Sequence, residues 1–137
     1  MEKYKLLTDY IPLMKTDEQG NWKSISPKGE EPGLPPFASY SELIYRFIKD
    51  FYSFCNDHPE YDADNYRNIL TELGIGTQPS ELEKTNVSRL DDKTVIVMIM
   101  CVLRIERFSE GLLLVLLKKG IIVKWLERLK QIDEYTD

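Results

Sequence analysis

The chain is 137 residues long, with 42% apolar and 30% charged residues, a composition that fills one hydrophobic core and excludes both disorder and a membrane-embedded body. Its net charge of −5 argues against non-specific nucleic-acid binding by bulk charge. Two cysteines and one histidine are too few for a zinc ribbon, a zinc finger or a disulfide scaffold.

The opening residues alternate charged and apolar groups and lack the apolar core of a signal peptide. Leu6, Leu7, Tyr10, Ile11 and Met14 recur at helical spacing and predict a first helix over about Glu2–Leu13. From Lys15 to Pro36 that pattern is lost. Pro27, Pro32, Pro35 and Pro36 fall here with Gly20, Gly29 and Gly33. Proline fixes φ and donates no backbone hydrogen bond, so residues 15–36 read as a long, irregular, proline-rich connector. Trp22, Ile25, Leu34 and Phe37 are placed to pin it to the body, and a short strand over 21–26 fits the pattern.

The clearest helix covers about Tyr40–Cys55, with Leu43, Ile44, Phe47, Ile48, Phe51, Tyr52 and Cys55 on one apolar stripe. The aromatics around it, Tyr45 included, read as mostly core. A third helix is expected over about Ala63–Leu73, closed by Gly74 in a left-handed conformation with Ile75 folding back. Gln78–Leu90 is polar, with a helical turn after Pro79. Val95–Leu103 is the longest apolar run, far short of the about 20 residues that cross a bilayer. Its β-branched residues suit a buried strand. Helix is favoured because Asp91 and Asp92 complement a helix N-terminus and because Ile105 and Phe108 continue the spacing. Ser109 and Glu110 are expected to open the next helix, which stops at Lys118, Lys119 and Gly120. A last helix over about Ile121–Ile132 places Ile122, Trp125, Leu126, Leu129 and Ile132 on one face. The expected fold is all-α: a single compact domain of five or six helices spanning 1–137, with the connector near its N-terminus.

Few residues carry obvious chemistry. His58 precedes Pro59 in a turn, beside Asp57 and Glu60, and reads as a solvated turn residue. Asp57, Glu60, Asp62 and Asp64 lack the glycine and distal glutamate of a calcium loop and read as acids gathered at a helix start. Gly74-Ile-Gly76 follows a helix rather than a strand, so it is not a dinucleotide loop. No catalytic residue, metal site or cofactor is expected.

Charge is uneven along the chain: acidic groups dominate up to Asp92, and basic ones gain the upper hand after it. Lys118, Lys119, Lys124, Arg128 and Lys130 form a candidate basic face. The bend at Gly120 is too short for a helix-turn-helix, and Ile121-Ile122-Val123 is apolar where base contacts belong, so a solvated face is the preferred reading. The group that stands out is Arg104, Glu106, Arg107, Phe108, Glu110 and Gly111, at a corner between two apolar helices. Arg107 and Glu110, and Glu106 and Glu110, face each other if the helix continues. One reading is an ion-pair network that fixes the corner, with Glu110 helping to cap the next helix. The other is an arginine fork for a carboxylate or phosphate. The structural reading is favoured.

The corner Arg-x-Glu-Arg-Phe-x-Glu-Gly, followed by apolar residues, Gly120 and Ile-Ile-x-x-x-Leu-x-x-Leu, resembles the C-terminal signature of a prokaryotic family of unknown function. Its members are short, mostly helical, stand-alone proteins. Pro35-Pro36-Phe37-Ala38-Ser39-Tyr40-Ser41, ahead of Phe47, Phe51 and Tyr52, is similar to the Pro-x-Phe-x-x-Tyr-Ser element in that family's first half. The likeness runs from about Leu6 to Leu129. Ser109 stands where many members carry cysteine, which argues against a thiol role there. The resemblance implies no activity; it singles out the corner and the aromatic element.

The expected role is that of a cytoplasmic, non-catalytic module that binds a protein partner or self-associates as a homodimer, with Trp125 and Ile122 as its face. Two alternatives remain: a nucleic-acid-associated regulator using the basic C-terminal helices, and a small anionic ligand held at the Arg104, Arg107 and Glu110 corner.

Overall fold

The computed structural model describes residues 3–23 and 37–135. It is built around one helix, α6 (Asp92–Glu106), in which every residue from Thr94 to Leu103 is buried. Other helices and turns cover it: α4 (Tyr66–Glu72) with the 3-10 turn Ala63–Asn65, α7 (Leu112–Lys118) and α8 (Ile121–Tyr135). A helix wrapped on every face is apolar on every face, which explains why periodicity alone could not separate it from a strand. Its start is set as expected. The Asp91 carboxylate accepts the Thr94 backbone N–H at 2.8 Å and closes the first turn.

The architecture is the mainly α-helical one expected, with differences at particular places. The first helix is split into α1 (Lys5–Thr8) and α2 (Tyr10–Thr16). Pro12 has no N–H to offer the Thr8 carbonyl, so an unbroken helix would leave that acceptor unpaired. The strand expected over 21–26 is present as β1 (Gly20–Lys23). It pairs antiparallel with β2 (Phe37–Tyr40), setting Gly20 opposite Tyr40 and Trp22 opposite Ala38. Tyr40, expected to begin a helix, therefore ends a strand, and α3 spans Glu42–Asp57. The rest of the connector, with Ile25 and Leu34, lies outside the described residues.

Along α3, Leu43, Ile44, Phe47, Phe51 and Phe54 are buried, while Ile48, Tyr52 and Cys55 from the expected stripe are half-buried at its edge. Gly74 closes α4 at φ 75°, with the Ile75 N–H donating back to the Leu70 carbonyl, as the sequence predicts. The turn after Pro79 is α5 (Pro79–Lys84). At the corner, α6 stops at Glu106 rather than running on to Phe108, and α7 opens at Leu112 rather than at Ser109. The last helix runs three residues past Ile132 to Tyr135.

That extension matters. Asp133, 4% exposed, accepts the backbone N–H groups of Lys3 at 3.0 Å and Tyr4 at 2.8 Å, so α8 satisfies the chain entering α1. The Tyr4 hydroxyl donates to Asp92 at 2.5 Å and also meets the Tyr61 hydroxyl. One tyrosine thus ties the N-terminus to α8 and to the start of α6. Substituting Asp133→Ala leaves one buried and one part-buried donor without their carboxylate. It is expected to lower stability by about 2 to 3 kcal/mol in urea unfolding, with Asp133→Asn milder because one acceptor oxygen survives.

Candidate functional site

The corner between α6 and α7 is organised by Glu106. Its carboxylate accepts the Gly111 N–H at 3.0 Å, the Leu113 N–H at 2.9 Å and the Tyr40 hydroxyl at 2.7 Å. The Leu114 N–H donates in turn to the Tyr40 oxygen at 3.2 Å. A helix start leaves its first N–H groups without partners inside the helix. Here one acid from the preceding helix and one tyrosine from β2 supply the acceptors. Burial, and then the neighbouring Glu106 carboxylate, raise the Tyr40 ionisation well above the ordinary tyrosine range.

Gly111 makes this geometry reachable. Its φ of 107° lies in the left-handed region, and the Trp22 ring occupies the space a Cβ would need. The cap for α7 is therefore Glu106 acting at a distance, and the expectation that Glu110 would supply it is corrected. With α6 ending at Glu106, the expected facing of Glu110 with Arg107 and Glu106 does not arise. Glu110 is exposed.

The two arginines turn the other way, toward Tyr52 on α3. The Arg104 and Arg107 guanidinium carbons lie 5.9 and 5.5 Å from the Tyr52 ring centre, and Arg107 donates to its hydroxyl at 3.3 Å. Arg104 also donates from Nη2 to Asp64 at 2.5 Å. Burial pulls the Arg104 pKa down, but the Tyr52 hydroxyl and the Asp64 carboxylate outweigh that and raise it. Beside it lies a cavity of about 310 Å³ between α3, the turns after it and α6. Cys55 lines this cavity, and burial pushes its thiol up to about 11.

Three large side chains surround the corner from outside. Phe108 is 86% exposed, Tyr45 58% and Trp22 46%. They are linked through the corner itself: Trp22 lies on Gly111, Tyr45 meets the Tyr40 ring edge-on at 6.2 Å, and Phe108 sits in the turn between Glu106 and Gly111. Tyr45 is thus not a core residue. Its signal in the sequence is its place beside Arg46 and opposite the apolar stripe, on the polar face of α3.

The proposed partner face is corrected. Trp125 is 1% and Ile122 0% exposed, both inside the chain's own core, because α8 turns that face against α6. The basic residues are on the surface but divided in their contacts. Lys118 reaches Asn21 at 3.2 Å, Lys119 pairs with Glu83 at 2.5 Å, and Arg128 donates to the Leu90 carbonyl at 2.9 Å. Lys124 and Lys130 are exposed. His58 packs against Phe54, ring centres 4.3 Å apart and planes tilted by 35°, and lies 3.2 Å from Glu60. Among the described residues no group of three or more His, Cys, Asp or Glu side chains is placed to hold a metal. None of their helices is long and apolar enough to cross a membrane.

Searches of curated proteins and of solved structures return no match. A family model does match, over residues 1–135, nearly the whole chain and therefore both the hairpin with Tyr40 and the corner it caps. The chain belongs to the Family of unknown function (DUF6508).

Proposed function

We propose that the protein is a non-catalytic binding module that self-associates through the aromatic corner, with a second copy of the chain as the occupant. The observation that carries this is Phe108, a phenylalanine left 86% exposed on a turn whose neighbours are held in place by Glu106. Trp22 and Tyr45 complete a patch of the residue types that dominate binding energy at protein interfaces. A pre-organised turn loses little freedom when it docks.

Charge favours a second copy over an unrelated surface. Arg107 and Glu110, both exposed, lie on either side of Phe108 in the sequence, and among the described residues Arg107 is held only by a 3.3 Å hydrogen bond to Tyr52 and by its ring. In a twofold contact the same patch meets itself, so each arginine can meet the other copy's glutamate. The protein is taken to act in the cytoplasm, where thiols such as Cys55 and Cys101, both free, stay reduced.

Sedimentation across the micromolar range tests the reading. The wild type is expected to pass from monomer to dimer, and Phe108→Asp to stay monomeric with stability changed by no more than about 0.5 kcal/mol. Arg107→Glu should weaken the dimer, and adding Glu110→Arg should restore it. A wild-type chain that stays monomeric throughout, or a dimer indifferent to Phe108→Asp, overturns the proposal.

A further inference from the structure

A cleft of about 540 Å³ opens between α4, the loop leading into α5 and the C-terminal half of α6. That is the size of small-molecule clefts, which run from roughly 300 to 1,000 Å³. One copy of the chain builds it, so it does not depend on self-association. Its floor is apolar: Cys101, fully buried, and Ile105, half-buried, both on α6, with Pro79 adding to the apolar lining. Its rim is polar, from Tyr66 and Arg67 on α4, Thr77 in the loop and Ser109 in the turn after α6. The Ser109 N–H donates to the Ile105 carbonyl at 2.7 Å, which fixes that side of the rim.

The charge on this lining runs against that of the chain. The protein is acidic, yet Arg67 is the one charged residue of the cleft and no carboxylate joins it. The acids nearby are committed elsewhere. Asp64, three residues ahead of Arg67, accepts from Arg104 at 2.5 Å. Glu81 accepts the Gln78 N–H at 3.3 Å and fills the space beside Gly76. Among the described residues Arg67 therefore has no ion pair, and its guanidinium lies 5.9 Å from the Tyr66 ring centre. Its charge reaches the floor, where it partly offsets the burial that pushes the Cys101 thiol up to about 11. The hydroxyls of Tyr66, Thr77 and Ser109 hold no hydrogen bond to another described group. Arg67 and Ser109 are exposed and Tyr66 and Thr77 half-buried, so the rim offers these donors to a guest.

The lining limits what fits. One guanidinium among neutral hydroxyls suits a monoanion, whereas a phosphate dianion calls for more positive charge than this rim holds. A wholly polar anion gains nothing from Cys101, Ile105 and Pro79, and a neutral apolar guest covers Arg67 without pairing it. We propose that this cleft binds a small carboxylate with an apolar body of phenyl or branched-alkyl size, its carboxylate on Arg67 and its body against Cys101 and Ile105. Arginine is suited to that end because its planar donors match the two carboxylate oxygens, and Tyr66, Thr77 and Ser109 add neutral donors around it.

Amide resonances of the ¹⁵N-labelled full chain give a direct readout. The probes are benzoate, phenylacetate and isovalerate, each titrated to about 10 mM, with acetate, benzamide and inorganic phosphate as comparisons. At least one of the apolar carboxylates is expected to move the Cys101, Ile105 and Ser109 amides saturably. Acetate, which lacks the body, and benzamide, which lacks the charge, are each expected to bind at least about tenfold more weakly. Arg67→Gln is expected to weaken binding by about tenfold or more and to leave the urea midpoint unchanged, because Arg67 is exposed. Arg89→Gln, which removes an exposed arginine outside the cleft, is expected to bind as the wild type does. No saturable shift with any of the apolar carboxylates means the cleft is simply hydrated and overturns the proposal. So does phosphate or benzamide binding as tightly as the best of them, or binding indifferent to Arg67→Gln.

Discussion

Replacing Glu106 with alanine is expected to lower the stability of the fold by about 3 to 5 kcal/mol, measured by urea unfolding at neutral pH. The side chain is half-buried, and its two oxygens hold the first N–H groups of α7 and the Tyr40 hydroxyl. Alanine leaves Gly111, Leu113 and Tyr40 without an acceptor at a corner too crowded, with Trp22 over Gly111, to rearrange freely. Each stranded donor costs about 1 to 3 kcal/mol, and the loss falls on the contact of β2 with α7 as well as on α7 itself. Glu106→Gln keeps one acceptor oxygen and is expected to cost about half as much. A loss below about 1 kcal/mol for the alanine variant would mean that Glu106 is not the hub of the corner.

The same hub makes a pH prediction. Tyr40 ionises above the ordinary range because burial, and next Glu106, disfavour its phenolate. Tyr10 is pushed up to about 12 by burial and then by Asp50, to which its hydroxyl donates at 2.6 Å. A pKa raised on folding contributes stability that is complete below the unfolded value of about 10 and is lost as pH rises beyond it. Unfolding free energy should therefore hold level from neutrality to about pH 9 on this account and fall above about pH 10, with Glu106→Gln reducing Tyr40's share of the fall.

Trp125→Ala is expected to cost about 3 to 5 kcal/mol without any direct effect on self-association. Trp125 is the largest of the fully buried side chains and lies in the main core with Ile122, Leu126 and Leu129. Alanine removes its transfer free energy and leaves a hole that rigid neighbours on α6 and α8 only partly fill. Far-UV circular dichroism during guanidinium unfolding is the suitable measurement, because the substitution removes one of the two tryptophans. A contrast between variants decides between the two faces. Phe108→Asp should abolish association and spare stability, while Trp125→Ala should do the reverse. The opposite pattern would return the partner face to α8.

The largest misreadings of the sequence come from side chains whose role depends on a distant partner. Ile122 and Trp125 look like an interface because α8 is amphipathic by itself. Nothing in its spacing tells whether the apolar face meets another copy or α6 of the same chain. The arginine and glutamate residues of the corner look like one ion-pair network because they are close in sequence. They separate because α6 ends at Glu106, which sends Glu106 to Tyr40 and Gly111 and leaves Arg104 and Arg107 against Tyr52. The Asp62 and Asp64 acids do lie just ahead of α4, as read, but only the fold brings Arg104 to Asp64.

The amino-acid sequence by itself determined the features that depend on neighbours a few residues apart. These include the apolar stripe of α3, the aspartate at the start of α6, the left-handed closure at Gly74 and the stop at Gly120. Spacing, capping and turn chemistry act over one or two turns of backbone, so they can be read in one dimension. Tertiary structure alone decided that α6 is wrapped on every side, that Asp133 holds the backbone of residues 3 and 4, and that Glu106 caps a helix it does not belong to. It alone left Phe108 in solvent and turned Arg104 and Arg107 onto Tyr52. Those outcomes follow from which surfaces meet when the helices pack, a property that side chains distant in the chain settle together.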